Sequence, residues 1–166
     1  MSVARSDAQR ISALADYVNA LANAPSPEVA FQAARDVARD IIGHQLFTIM
    51  AFDADAMEVE RCFTSNPVAY PAGGRKQKRD TAWGRHVLND GKYFIGYNAD
   101  DIRENFNDHE IIKGLGLDSV LNVPIRCLGR TVGTMNLLDE ANFYQETHVA
   151  TASIIASGLV GVLAAR

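Results

Sequence analysis

The chain has 166 residues, of which 48% are hydrophobic and 22% charged, and a formal net charge of −4. That length and apolar share fit one domain with its own core and exclude a chain too polar to fold. The acidic balance excludes broad electrostatic binding to nucleic acid, which rests on Lys and Arg neutralising phosphates. The opening run MSVARSDAQRISALADYV is broken by charges and lacks the apolar centre of a signal peptide, so a cytoplasmic protein without membrane attachment is expected. Cys62 and Cys127 are too few for a disulfide framework and are not spaced as CxxC, which points to reduced thiols.

Along the chain, Ile11, Leu14, Ala15, Val18, Leu21 and Ala22 recur at helical spacing behind Ser6 or Asp7, so a first helix is predicted to end near Ala24 and Pro25. Ser26 caps a second helix with Pro27 at its first position. Its inner stripe is Val29, Ala30, Ala33, Val37 and Ile41, and Gly43 stops it. Strands at 46–52 and 58–64 form a hairpin, with Val59, Arg61 and Phe63 alternating against Glu58, Glu60 and Cys62. The stretch 65–80, with two prolines, Gly73, Gly74 and the basic cluster GGRKQKR, reads as a mobile loop that could cradle a phosphate or carboxylate.

Thr81 then caps a short helix carrying Trp83, Val87 and Leu88, which Gly91 ends, and 93–95 is a brief strand. One or two short helices follow between Asp100 and Leu115, with Asn107 and Glu110 spaced as an N-cap pair. Two apolar runs around Gly129 make a second hairpin. If Cys127 pairs with Thr131, Asn122 and Asn136 face each other; if Leu128 and Gly129 form a two-residue turn, they point to opposite faces. The last run, 149–165, carries no charge and lies at the lower edge of bilayer-spanning length. Its Ser153, Ser157, Gly158 and Gly161 favour a buried terminal helix with a small-residue face.

Antiparallel hairpins with helices before, between and after them give an α+β class: a central antiparallel sheet of five or six strands with helices on both faces, in one domain spanning 1–166. The series Ser119, Val120, Val123-Pro124-Ile125, Gly129, Val132-Gly133 and Met135-Asn136-Leu137, followed by Phe143 and the apolar helix, resembles the C-terminal half of a GAF domain. The two opening helices and first hairpin agree with that layout. The resemblance implies a three-layer, profilin-like α/β/α arrangement, with a ligand pocket between one sheet face and the irregular middle segment.

On that reading a small molecule is held by Tyr70, Trp83, His86, Phe94, Tyr97, Asp101, Asn122 and Asn136, with Tyr93 nearby. The two asparagines stand out because each interrupts an apolar strand and needs hydrogen-bond partners if buried. The cofactor is left unknown. The acidic run NADDIRENFNDHE invites a metal, but its spacing is explained by capping and no metal is expected. The expected function is that of a sensory domain acting without an attached output domain, through a signalling partner or a homodimer built on the helix at 1–24. The alternative is a dimerising interaction module with a vestigial pocket. An enzyme is not expected: the GAF-fold reductase of free methionine sulfoxide is implied to need cysteines on the middle loops, and 65–119 contains none.

Overall fold

The hydroxyl of Ser6 accepts the amide of Gln9 while the Gln9 side chain accepts the amide of Ser6, a reciprocal cap that starts helix α1, Asp7–Asn23. In the computed structural model, which describes residues 4–77 and 80–166, Ser26 caps α2 (Pro27–Ile41) one way only, its hydroxyl accepting the Val29 amide. The strands and helices that follow are β1 (Leu46–Asp53), β2 (Glu58–Thr64), β3 (Arg75–Gln77), α3 (Ala82–Gly84), β4 (Phe94–Gly96), α4 (Ala99–Asn105), α5 (His109–Gly114), β5 (Ser119–Cys127), β6 (Arg130–Asp139), α6 (Val149–Ser157) and α7 (Val160–Ala164). A π-helical turn, Arg85–Asn89, extends α3, and a 3-10 turn, Glu146–His148, leads into α6.

The six strands form one antiparallel sheet in the order β3-β2-β1-β6-β5-β4. One face carries Phe47, Ile49, Phe63, Leu121, Val123, Ile125, Met135 and Leu137 against α1, α2 and α6, and this is the main core. The opposite face is covered by the segment from Tyr70 to Leu117, which supplies two smaller apolar clusters. The expected three-layer α+β arrangement is therefore present, with β3 as the sixth strand.

Several local expectations change. In α1 the inward stripe runs through Ala13, Leu14, Tyr17 and Leu21, of which Tyr17 is buried and the others partly so. Ile11 and Val18 are 67% and 58% exposed, because Tyr17 takes the inward position and donates its hydroxyl to the Ile155 carbonyl at 2.8 Å. In α2 Phe31 and Ala34 face inward and Val29 outward. The alternation expected in β2 is broken by an irregularity in pairing with β1: Ile49 opposes Phe63 but Met50 opposes Arg61, so Arg61 and Val59 share one face while Phe63 turns to the other.

Part of the expected loop, Arg75–Gln77, is an edge strand on β2, with Arg75 lying within 3.8 Å of both Glu58 and Glu60. The expected contribution of Lys78 and Arg79 falls outside the described residues. The cap residue of α5 is Asp108, not Asn107, and it makes no side-chain capping bond. The terminal helix divides at Gly158 and Leu159. The segment Glu146–Ala164 is long and apolar enough to cross a bilayer, yet its Ala152, Ile155, Ala156 and Leu159 are buried in the main core. Gly158 is where α6 meets α1: a Cβ there would lie 2.8 Å from Leu21 Cδ1 and 3.1 Å from the Tyr17 ring.

The second hairpin resolves the register in an unexpected way. Cys127 pairs with Arg130, so Leu128 and Gly129 do form a two-residue turn, with φ of 50° and 78°. The pairing then shifts by one residue between Ile125 and Arg126, and from there Asn122 opposes Asn136. A bulge beside the turn thus combines the tight turn with facing asparagines.

Candidate functional site

The facing asparagines are the centre of a buried polar chain on the segment-covered face of the sheet. Asn122 Nδ2 donates to Asn136 Oδ1 at 2.7 Å, and Asn136 Nδ2 donates to the hydroxyls of Thr48 at 3.1 Å and Thr134 at 3.2 Å. At the other end, Trp83 Nε1 donates to Asn122 Oδ1 at 3.0 Å. Asn122 and Asn136 are only 2% and 4% exposed, so this chain answers the hydrogen-bonding need that two amides inside apolar strands create.

Local sequence explains how Trp83 reaches it. The Thr81 hydroxyl accepts from Gly84 N, and the Thr81 carbonyl accepts from Arg85 N, which starts the short helix and aims the indole at the sheet. Phe106 meets the indole edge-on at 5.7 Å and Phe94 meets Phe106 at 6.2 Å. Trp83, Phe94, Asn122 and Asn136 are thereby brought together.

The remaining predicted residues sit elsewhere. Tyr70 is buried in a neighbouring cluster with Leu46, Ile102 and Leu138. Its ring carries the Arg61 guanidinium 3.7 Å above the centroid, while Arg61 Nη1 donates to the Pro71 carbonyl at 2.9 Å and its Nε is buried without a partner. Burial lowers the Arg61 pKa, with Asp108 opposing that shift; burial also raises the Asp108 carboxyl above its usual range, against its own backbone and the Arg61 charge. Arg61 and Asp108 were missed in the sequence; a lone cation between Val59 and Phe63 was the available signal.

Asp101 accepts the Tyr97 amide at 2.8 Å, and the Tyr97 carbonyl accepts the Asn142 amide at 2.7 Å. Both residues fix the entry to α4. His86 lies apart, its Nε2 2.8 Å from the Tyr93 carbonyl, in a cleft of about 600 Å³ at the edge of the sheet. Among the described residues no group of three His, Cys, Asp or Glu could hold a metal ion. The acidic run is spent on local contacts, Asp100 with Arg103 at 3.0 Å and Glu110 with His109 at 3.5 Å.

The same order of elements recurs in solved structures. A GAF domain of a phosphoenolpyruvate-protein phosphotransferase from Acinetobacter superposes with a TM-score of 0.76 over 97% of this chain and 95% of that one, at 15% identity. The fold is that of a GAF domain. Free methionine-R-sulfoxide reductase from Neisseria meningitidis, in complex with its substrate, matches with a TM-score of 0.73 at 16% identity over 99% of this chain and 94% of that one. The chromophore-binding domain of a bacteriophytochrome from R. palustris gives 0.71 at 14% identity over 97% of this chain and 64% of that one. No protein-family model matches the sequence, and no curated protein matches it. At these identities the likeness concerns the fold.

Proposed function

We propose that this GAF domain is a sensory module whose small-molecule site is the sheet face under the 70–117 segment, with Trp83 as its cover. The observation that carries this reading is the Trp83–Asn122–Asn136–Thr48 chain: a line of amides and hydroxyls on rigid strands, reached through a short helix with a π-helical turn. A polar ligand entering there exchanges the indole bond for its own, and the departing helix transmits occupancy to the surface. Arg61, with a buried unpartnered Nε, extends the polar surface of the same face toward Tyr70. Arg75 of the basic cluster lies outside this site, beside Glu58 and Glu60 at the sheet edge.

Output is proposed to run through a homodimer or a signalling partner at the terminal helices, where Ile11 and Val18 of α1 and Ile154 of α6 are exposed. A cytoplasmic location and a non-enzymatic role belong to the same proposal. Cys62 lies on β2 beside Arg166 and Cys127 at the end of β5, both free thiols, and burial pushes the Cys62 thiol up rather than activating it.

Trp83 is the single tryptophan, so its emission tests the site directly. A library of small polar metabolites screened by thermal shift should yield a compound that also changes Trp83 emission. Stabilising compounds that all leave the emission unchanged would refute the site. The competing reading, a dimerising module with a vestigial pocket, is favoured by the mutual satisfaction of the asparagine chain, and it predicts that no such compound exists while the protein still self-associates.

A further inference from the structure

The cleft around His86 has its own chemistry. Strand β4 pairs only with Val120, Leu121 and Asn122 of β5, so beyond that point β5 has no strand on its outer side. The turn from His86 to Tyr93 and the outer face of α6 rise on either side of this edge, and the space between them is about 600 Å³, within the range of small-molecule sites. Val123 and Pro124 form an apolar floor, and Ser153 offers a hydroxyl from α6, while the Ser157 hydroxyl donates to the Ile154 carbonyl at 2.7 Å.

The charges lining the cleft are all of one sign. Lys92 and Arg126 border it together with His86, no Asp or Glu lines it, and neither cation makes an ion pair among the described residues. Asp90 precedes Gly91 in the turn but does not line the cleft, and Glu146 accepts the Tyr93 hydroxyl. This is a cationic hollow on a protein of net charge −4. Arg126 is also positioned by the backbone: its Nη2 donates to the Gly129 carbonyl at 2.7 Å and its guanidinium lies over Gly91, where a Cβ would come within 2.3 Å of Cζ. Gly91 has φ of +65°, so it serves both the turn and the close approach of the guanidinium.

We propose that this cleft is a second binding site, separate from the Trp83 face, for a small organic anion: a carboxylate or phosphate monoester joined to an apolar ring or chain. The fixed guanidinium receives the oxyanion, Lys92 adds charge, and the floor of Val123 and Pro124 takes the apolar body. Phenyl phosphate and benzoate are suitable probes, with benzyl alcohol as the uncharged control.

Titrated into labelled protein and followed by amide NMR, phenyl phosphate or benzoate should give saturable shifts at Gly91, Lys92, Val123, Ser153 and Ser157, with Trp83 emission unchanged. Binding should weaken as salt rises, and Lys92→Gln with Arg126→Gln should weaken it at least tenfold. Both side chains are exposed, so the doubly substituted protein is expected to keep its amide spectrum, which the same experiment checks. The proposal is overturned if neither anion binds, if benzyl alcohol binds as tightly, or if the folded double variant binds phenyl phosphate unchanged. Shifts centred on Trp83 and Asn122 instead would assign the anion to the other face and equally reject this cleft.

Discussion

Replacing Asn136 by alanine tests whether the asparagine chain is architecture or an open ligand contact. Asn136 is 4% exposed, accepts from Asn122 and donates to Thr48 and Thr134. The substitution removes three hydrogen bonds, each with a net contribution of about 1 kcal/mol, and strands the Asn122 amide inside, where an unpaired donor costs about 1–3 kcal/mol. These overlap, so a loss of about 3–4 kcal/mol is expected, a large part of a typical stability of about 5–15 kcal/mol. For a domain of this size that corresponds to about 6–16 °C in Tm. Urea unfolding followed by Trp83 emission and by far-UV dichroism measures it. The double replacement Asn122→Leu with Asn136→Leu should cost less than the sum of two single replacements, because neither amide is left facing a lost partner, while the Trp83 indole still loses its bond to Asn122. A loss below about 1 kcal/mol for Asn136→Ala would refute the buried chain and return Asn136 to the role of a solvent-accessible ligand contact.

Leu128 holds φ of 50° in an exposed two-residue turn, a conformation that suits Asn far better, so Leu128→Asn should stabilise the protein by about 0.5–1 kcal/mol in urea unfolding. Tyr17→Phe removes the hydroxyl that meets the Ile155 carbonyl and should cost about 1–2 kcal/mol by the same measurement, without changing the amide fingerprint outside α1 and α6. Burial lowers the pKa of His44 below its ordinary 6.5, while its bond to the Arg35 carbonyl opposes that shift. The unfolded chain therefore binds the proton more readily: the His44 contribution is complete above pH 6.5 and is lost as pH falls below it. His148, shifted the same way by burial and then by Arg10, adds to the slope, so His44→Gln should flatten but not abolish the fall in Tm between pH 7 and pH 5, roughly the range around the ordinary histidine pKa. Ile11→Lys with Val18→Lys should leave Tm nearly unchanged while abolishing self-association in sedimentation velocity; a dimer of undiminished affinity would place the interface elsewhere.

Surface substitution tests the α1 interface more cleanly than deletion of the helix. Deleting residues 1–24 would also remove Tyr17, which is 3% exposed and bonded into α6, so lost dimerisation and lost core could not be told apart.

Local chemistry was enough to read much of this fold. Ser6, Ser26 and Thr81 start helices where their hydroxyls can accept an amide three residues on, and β2 spans the run its alternation marked. The two asparagines in apolar strands signalled only that each needs a hydrogen-bond partner if buried, because an unpaired amide there is costly. Which partner it finds is not a local property. The bulge between Ile125 and Arg126 lets a two-residue turn coexist with Asn122 facing Asn136, and the irregularity in β2 sends Arg61 and Phe63 to opposite faces; both depend on how neighbouring strands pair. The choice of Tyr17 over Ile11 and Val18 as the inward residue of α1 likewise rests on the Ile155 carbonyl, 138 residues away. Separating His86 from the Trp83 face required the sheet edge that β4 leaves uncovered, and such a distance exists only once the chain has closed on itself.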